Sequence, residues 1–410
     1  MTSAARDRWL IYGAAFLRAL AIGAAGVFVA IYLAERGLSL AAIGLVIGAG
    51  MVGNALTTLA VAGRFDLKIG RTPLLVILGA LGAVGYIVLA LPLPLFVLVP
   101  LAAIGTMNGM GRDRGGLSAL EQAMLPETTD AERRTWVLAW YNLVLDTGHA
   151  IGALAGAIPA VLVRQWYFSS LEAHRTTLVL CALAMGIGAL LYAYLSLDRH
   201  AHPASGPAAG ARTRPPVSPE SRRAITRLAA LFGLDSLGGG FLSSALVAYW
   251  FFDRYGLAEH QIAVLFFAAR VLNALSHLGA AWLARRIGLV NTMVWTHLPS
   301  SLFLIAAPAA PTAGLASTLF LAREGLVEMD VPTRQSYVLA IVRPEERSYA
   351  SGVTNFTRNV GWAVGPLIAG AIMQHVAVAG PLVIGGALKI AYDVMLYAGF
   401  RKLRPPEEPV

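Results

Sequence analysis

Long apolar runs dominate this sequence and restrict the folds that are open to it. A helix needs about 20 apolar residues to cross the hydrocarbon core of a membrane, and the chain holds about twelve such runs. The first covers residues 9–33 and the last covers residues 381–400. Because lipid offers no hydrogen bonds to the backbone, runs of this length fold as helices. The pattern predicts an all-α integral membrane protein with twelve transmembrane helices.

The composition agrees with a lipid environment. Of the 410 residues, 57% are hydrophobic and 13% are charged, whereas a soluble domain carries about 25% charged residues. The net charge is +9, but the arginines lie in short loops between the apolar runs, so we expect no nucleic-acid partner. Cys181 is the single cysteine, which excludes a disulfide framework and a thiolate metal site. We expect no metal and no cofactor.

Residues 198–224 separate six of the apolar runs from the other six. This segment is rich in proline and arginine, and such a composition is typical of a flexible linker. The sequence therefore predicts an N-terminal six-helix bundle at 1–197 and a C-terminal six-helix bundle at 225–410. Lysine and arginine collect on the side of the linker and of both chain ends, which places the linker and both termini in the cytoplasm. We expect the inner (plasma) membrane as the location.

The two halves of the chain repeat each other. Lys68-Ile-Gly70 matches Arg286-Ile-Gly288 between equivalent runs. Four further residues of the first half match four of the second half in the same order: Gln122, Asn142, Gly148 and Gly152 match Gln335, Asn355, Gly361 and Gly365. Two such halves form pseudo-symmetric bundles, with the substrate site expected between them near the middle of the bilayer.

Two segments of the sequence resemble signatures of the major facilitator superfamily. The loop Gly63-Arg-Phe-Asp66-Leu-Lys68-Ile-Gly70-Arg71 is similar to the family's Gly-x-Leu-Ala-Asp-Arg-x-Gly-Arg-Arg, with the acid one place early. The eleventh run holds Gly361-Trp-Ala-Val-Gly365-Pro366, similar to the antiporter signature that the family carries in its fifth span. The resemblance implies a monomeric secondary transporter, close to the drug:proton antiporter branch. It assigns conformational gating to these residues: Gly63, Asp66, Gly70, Arg71, Gly361, Gly365 and Pro366.

Several ionisable residues lie inside the apolar runs, where each costs at least about 2.5–3.5 kcal/mol at the bilayer centre. Arg18 and Asp235 occupy equivalent depths in the first and seventh runs. We expect them to pair, with Asp235 as the principal proton-coupling residue, because a carboxylate that loses its cationic partner takes up a proton. Asp146 and His149 in the fifth run are a second candidate relay. Lys389 and Asp393, four residues apart, are expected to pair with each other.

Further polar residues in the runs are candidates for a substrate cavity: Arg112, Asn142, Arg270, Asn273, Arg323, Glu324, Asn355 and Arg358. Their arginines favour an anionic or zwitterionic substrate, although Glu324 beside Arg323 weakens that inference.

These features favour a secondary active transporter that works by alternating access, most simply a proton-coupled exporter of small organic solutes. Its expected partners are a small-molecule substrate, protons and the lipid bilayer. Two alternatives stay open: uptake or exchange of an organic anion, and a non-transporting lipid-handling or sensor protein on a transporter scaffold. The chain has neither a GxxxxGK nucleotide loop nor a Gly-x-Ser-x-Gly elbow, so we expect no enzymatic activity.

Overall fold

A computed structural model describes residues 3–62, 69–113, 115–130, 133–196, 218–343 and 346–401. Within these ranges the secondary structure is helical and contains no strand, which confirms the predicted all-α class. The α-helices are, in chain order, Ser3–Glu35, Leu40–Ala62, Arg71–Ala90, Leu95–Ile104, Gly116–Met124, Arg134–Ala155, Ile158–Trp166, Ser170–Ala193, Pro219–Phe241, Ser244–Tyr255, Glu259–Ile287, Leu289–Ala306, Ala313–Val327, Asp330–Ala340, Arg347–His375 and Gly380–Phe400.

These helices form the twelve predicted spans. Among the described residues, seven segments are long and apolar enough to cross a membrane: Ser3–Glu35, Leu40–Val61, Arg71–Ala90, Trp136–Trp166, Ser170–Ala193, Leu289–Ala309 and Gly380–Phe400. The seventh span consists of Ser221–Phe241 and Ser244–Tyr255, which are separated by a short break. The fourth, eighth, tenth and eleventh spans are interrupted or carry charges, and they are made by the remaining helices.

The fourth span is broken in its middle. Leu95–Ile104 and Gly116–Met124 are helical, but residues 105–113 between them are not. The side chain of Asn108 provides hydrogen-bond partners for this irregular backbone. Its amide donates to the Arg112 carbonyl at 2.7 Å, and its oxygen accepts from the Met110 N–H at 2.8 Å. Irregular backbone at membrane depth needs such internal partners. The break places Arg112 and Asp113 outside any helix.

The chain forms two compact units. The first comprises Met1–Ala204, Ser243–Phe267 and Pro366–His375, and the second comprises Ser205–Leu242, Ala268–Gly365 and Val376–Val410. Each unit has its own apolar core, containing for example Leu75 and Tyr141 in the first, and Phe232 and Met293 in the second. Many large apolar side chains elsewhere on the spans are exposed, as a lipid-facing surface requires. The predicted division into bundles 1–197 and 225–410 stays a prediction, and residues 197–217 of the linker lie outside the described ranges.

The internal repeat is visible in the backbone. Gly70 precedes the third span with a φ of 94°, and Gly288 precedes the ninth span with a φ of 85°. Residues with a Cβ rarely adopt this conformation. The glycines of the two matching sequences therefore adopt the same backbone conformation at equivalent points of the two halves.

Candidate functional site

Arg18, on the first span, is the centre of a buried ion cluster in the first unit. Its side chain is 4% exposed. Its Nε donates to Asp113 Oδ2 at 2.6 Å, its Nη1 donates to Glu121 Oε1 at 3.0 Å, and its Nη2 donates to Glu121 Oε2. One guanidinium thus faces two carboxylates of the fourth span. Arg18 is thus paired within the first unit, by Asp113 in the break of the fourth span and by Glu121 on the helix after it, and its predicted pairing with Asp235 is wrong.

Two tyrosine hydroxyls complete the surroundings of Glu121, which is 0% exposed. Tyr192 donates to its Oε1 at 2.5 Å and Tyr141 donates to its Oε2 at 2.8 Å. Arg18 Nη1 also donates to the Tyr192 oxygen at 2.6 Å. Asp113 and Glu121 thus share one cation.

His149, on the fifth span, contacts the same cluster. Its Nε2 accepts the backbone N–H of Asp113 at 3.0 Å, so that nitrogen carries no proton in this arrangement. His149 is buried, whereas Asp146 is exposed. The structure therefore brings His149 to the Arg18 cluster. The relay between Asp146 and His149 stays a prediction.

A small cavity adjoins the cluster. It has a volume of about 20 Å³ and is lined by Arg18, Asp113, Asn54, Thr57 and Tyr86, among others. This volume accommodates about one water molecule. The Tyr86 hydroxyl is buried and has no hydrogen-bond partner among the described residues. A polar space of molecular size thus lies directly beside Asp113.

Asp235, on the seventh span, belongs to a second buried cluster. Lys389 Nζ donates to its Oδ1 at 2.7 Å, and His297 Nε2 lies 3.6 Å from the same oxygen. Arg334 Nη1 lies 3.5 Å from its Oδ2. All three partners belong to the second unit. The charge of Asp235 is therefore compensated within that unit.

The predicted pair of Lys389 and Asp393 is wrong. Lys389 binds Asp235, and both carboxylate oxygens of Asp393 lie 3.0 Å from His297 Nδ1. Spacing along one helix allows the pair, but buried charges need partners that satisfy their hydrogen bonds fully. The seventh and ninth spans provide those partners.

The two clusters contain equivalent ion pairs of opposite polarity. Arg18 on the first span pairs with Glu121 on the fourth, and Asp235 on the seventh span contacts Arg334 on the tenth. Glu121 directly precedes Gln122, and Arg334 directly precedes Gln335, the two glutamines that the sequence repeat matches. The repeat therefore conserves the position of a buried ion pair while exchanging its charges.

The other predicted cavity residues occupy separate places. Asn273 donates to the Glu324 carbonyl at 2.7 Å and to Glu324 Oε2 at 2.9 Å, and Glu324 pairs with Arg323. This pair is buried, so Glu324 offsets the charge of Arg323 as expected. The remaining candidates are half-buried or exposed: Arg112, Asn142, Arg270, Asn355 and Arg358. Of these, Asn355 and Arg358 line one cavity of the second unit.

Glycines allow the eleventh span to pack closely on the seventh within the second unit. A Cβ at Gly361 would lie 2.8 Å from the Gly233 carbonyl oxygen, and one at Gly365 would overlap the backbone of Gly240. The equivalent glycine of the first half, Gly152, has the same relation to Leu20 on the first span. Small residues thus bring these helix backbones into direct contact.

Comparison with known proteins identifies the family. A family model described as Major Facilitator Superfamily matches residues 11–322 and 228–410. The chain belongs to the Major Facilitator Superfamily. It is therefore a multi-pass membrane protein of a transporter family, and its family is not one of enzymes. The drug:proton antiporter branch stays a prediction.

The similarity of this superfamily member to known proteins extends over nearly its whole length. It is 25% identical to the uncharacterized membrane protein YJR124C of Saccharomyces cerevisiae, over 97% of this chain and 94% of that protein. Its fold is similar to that of the nucleoside transporter NupG, with a TM-score of 0.72 and 14% identity over 98% of this chain and 100% of that one. A POT family transporter in complex with 5-aminolevulinic acid gives a TM-score of 0.72 and 12% identity over 97% and 96% of the two chains.

The structure describes only part of the loop that resembles the superfamily signature. Gly63 and Asp66 lie outside the described residues. Gly70 makes the turn into the third span, and Arg71 Nη1 lies 2.5 Å from Glu127 Oε1, with both side chains partly exposed. Pro366 belongs to the first unit, where its carbonyl oxygen contacts Gly44. The gating role of all these residues stays a proposal.

Reading the sequence missed three residues that matter in this superfamily member: Glu121, Tyr192 and Arg334. Glu121 lies directly after Leu120, at the end of the apolar run of the fourth span. Arg334 adjoins Gln335, which the repeat had already matched to Gln122. Comparing the neighbours of those two glutamines would have revealed both charged residues.

Proposed function

We propose that this chain is a secondary active transporter that exports small organic solutes in exchange for protons, by alternating access. We further propose that Arg18, Asp113 and Glu121 bind the coupling proton. The observation that carries this proposal is the arrangement of two buried carboxylates on one guanidinium.

Binding of a proton at this cluster changes its contacts. With both acids ionised, Arg18 is held to Asp113 and to Glu121 at once. A proton on Glu121 removes one of the two ionic attractions and leaves the tyrosine hydroxyls as its neighbours. The first, fourth, fifth and sixth spans all supply groups to this cluster. Protonation thus favours a different packing of these spans, which is what coupling requires.

Asp235 is the principal proton-coupling candidate from the sequence. In this proposal it is the second candidate, after the Arg18 cluster. Lys389 and Arg334 both face its carboxylate. Lys389 donates directly to its Oδ1, so its charge is already compensated in the arrangement that the structure shows.

The direction and the substrate of transport are proposed from other observations. Export follows from the similarity of the Gly361 to Pro366 segment to an antiporter signature. The solutes named for similar structures, a nucleoside and 5-aminolevulinic acid, are small and organic. Uptake or exchange of an organic anion is the alternative favoured by a specific observation, the cavity lined by Arg334 and Arg358. We also propose that the protein is a monomer of the inner membrane.

The test uses inside-out vesicles from cells that express the wild type or Glu121→Gln. A pH gradient is imposed, and uptake of labelled nucleosides, short peptides and 5-aminolevulinic acid is measured together with proton release. Glutamine keeps hydrogen-bonding capacity but cannot exchange a proton. We expect Glu121→Gln to lose pH-driven transport and to keep exchange of solute across the membrane without a gradient.

Glu172→Gln is the matched control, because Glu172 is an exposed residue that caps the sixth span and glutamine also serves in a capping box. This control should transport like the wild type. Full pH-driven transport by Glu121→Gln would assign the coupling elsewhere, first to Asp235. A wild type that moves neither solute nor protons would favour the lipid-handling or sensor alternative.

A further inference from the structure

A cavity of about 250 Å³ lies within the second unit, between the seventh, tenth and eleventh spans. Its lining is strongly polar for a membrane protein. Six of its lining residues bear on what it binds: Phe232, Arg334, Gln335, Thr354, Asn355 and Arg358. Two arginines and two residues with side-chain amides therefore line one small space.

Arg334 provides donors that the protein leaves unused. The residue is 2% exposed, and its Nη1 is bound to Asp330 and lies near Asp235. Its Nε and Nη2 are buried and have no hydrogen-bond partner among the described residues. A buried donor without a partner is costly. Nε and Nη2 form one edge of the guanidinium, and their parallel N–H groups match the two oxygens of a carboxylate or phosphate.

Phe232 lines the cavity beside this guanidinium. The Arg334 guanidinium carbon lies 5.5 Å from the centroid of the Phe232 ring, and both residues line the cavity. A guanidinium that stacks on a ring keeps its edge free for hydrogen bonds in the plane of the group. Asp330 fixes the opposite nitrogen, so the orientation of the edge is set before any ligand binds.

Arg358 adds a second positive charge. Its Nε donates to Ser236 Oγ at 3.2 Å, and its guanidinium lies 4.5 Å from the Trp362 ring centroid. No acidic side chain in the described part of the chain forms a salt bridge with it. A cation held by a hydroxyl and a ring, beside a polar cavity, favours an anionic ligand.

We propose that this cavity binds the anionic group of the transported solute, a carboxylate or a phosphate, through Arg334 and Arg358. The amides of Gln335 and Asn355 bind neighbouring polar atoms of the solute. Drug-sized ligands occupy pockets of about 300–1,000 Å³, so the cavity takes a small anion or the anionic end of a larger molecule. This inference names the substrate class and rests on the proposed transport function.

The test measures binding to the purified full-length protein in detergent, at constant ionic strength, by calorimetry. The probes are succinate, inorganic phosphate, the neutral analogue succinamide and a soluble short-chain phosphatidic acid. We expect succinate or phosphate to bind the wild type and succinamide not to bind. Binding of the phosphatidic acid alone would assign the site to a lipid headgroup and overturn the solute proposal.

Arg358→Gln is the decisive variant, because Arg358 is half-buried and its removal leaves no acid unpaired among the described residues. It should weaken anion binding about ten-fold or more, as the loss of a charge-assisted hydrogen bond predicts. Asn355→Leu should weaken binding less, and Arg334→Lys should abolish the two-pronged contact. Arg222→Gln is the control, an exposed arginine of the same unit, and should bind like the wild type.

Equal losses in Arg358→Gln and Arg222→Gln would show a general effect of charge and overturn the proposal, as would a wild type that binds none of the anions. The assay needs no pH gradient, so it separates this inference from the proposed function. Binding that depends on Arg358 without pH-driven transport contradicts the proton coupling alone. Coupled transport of neutral or cationic solutes, with no anion bound, contradicts the anion site alone.

Discussion

At the scale of single residues, His174 joins three helices of the first unit. It lies in the first turn of the sixth span and is buried. Its Nδ1 lies 2.8 Å from the Ser170 carbonyl oxygen and 3.2 Å from Glu35 Oε2, and its Nε2 lies 2.5 Å from Glu259 Oε1. Carbonyl and carboxylate oxygens accept hydrogen bonds, so both ring nitrogens act as donors here. The positive imidazolium ring then lies between two carboxylates.

We predict that His174→Gln destabilises the protein. Glutamine cannot reach both carboxylates, and a hydrogen bond to a charged group contributes about 1.5–3 kcal/mol. Unfolding followed by tryptophan fluorescence in detergent should show a melting temperature lowered by several degrees. His260→Gln is the control, because His260 is exposed beside Glu259 and should tolerate the change. Equal melting temperatures for both variants would mean that the His174 bridge adds nothing.

At the scale of helices, the glycine contact between the seventh and eleventh spans should limit what substitutions are tolerated. Gly365→Ala places a methyl group against the backbone of Gly240. Overpacking of this kind costs about 1–3 kcal/mol, so the variant should melt at a lower temperature. Gly352→Ala lies on the same helix with nothing within 4 Å of the added Cβ, and should be neutral or stabilising because alanine favours helices. A stable Gly365→Ala would contradict the close packing.

Much of this helical framework could be predicted from the sequence, whereas the charge pairing could not. Apolar length and small residues at regular spacing act locally, so the twelve spans and the contact made by Gly361 and Gly365 follow from the pattern. The partners of Arg18 depend on a break in the fourth span at residues 105–113. Breaks and rotations of helices are set by packing against their neighbours. The charged residues of the apolar runs were candidates for the clusters, and the packing of the helices decided which of them meet.

At the scale of the whole molecule, the two halves resemble each other more in the positions of their turns and buried ion pairs than in the charges at those positions. Gly70 and Gly288 make equivalent turns, and the buried ion pair of the first and fourth spans recurs in the seventh and tenth with its charges exchanged. Two copies of one scaffold have thus taken different tasks in the proposed mechanism. The carboxylates of the first half are suited to bind a proton. Arg334 and Arg358 of the second half are suited to bind an anion.

The orientation of the whole chain in the membrane gives the last prediction. Spans alternate in direction, so the loops fall into two sets. Arg36, Arg164 and Arg254 lie in one set, while the other set holds more lysine and arginine, including the linker. The richer set belongs in the cytoplasm, so a fluorescent-protein fusion at Arg212 or at the C-terminus should be bright. An alkaline phosphatase fusion at Tyr167, an exposed residue between the fifth and sixth spans, should be active. Active phosphatase at Arg212 would reverse the orientation, and with it the direction of the proton gradient that the Arg18 cluster is proposed to use.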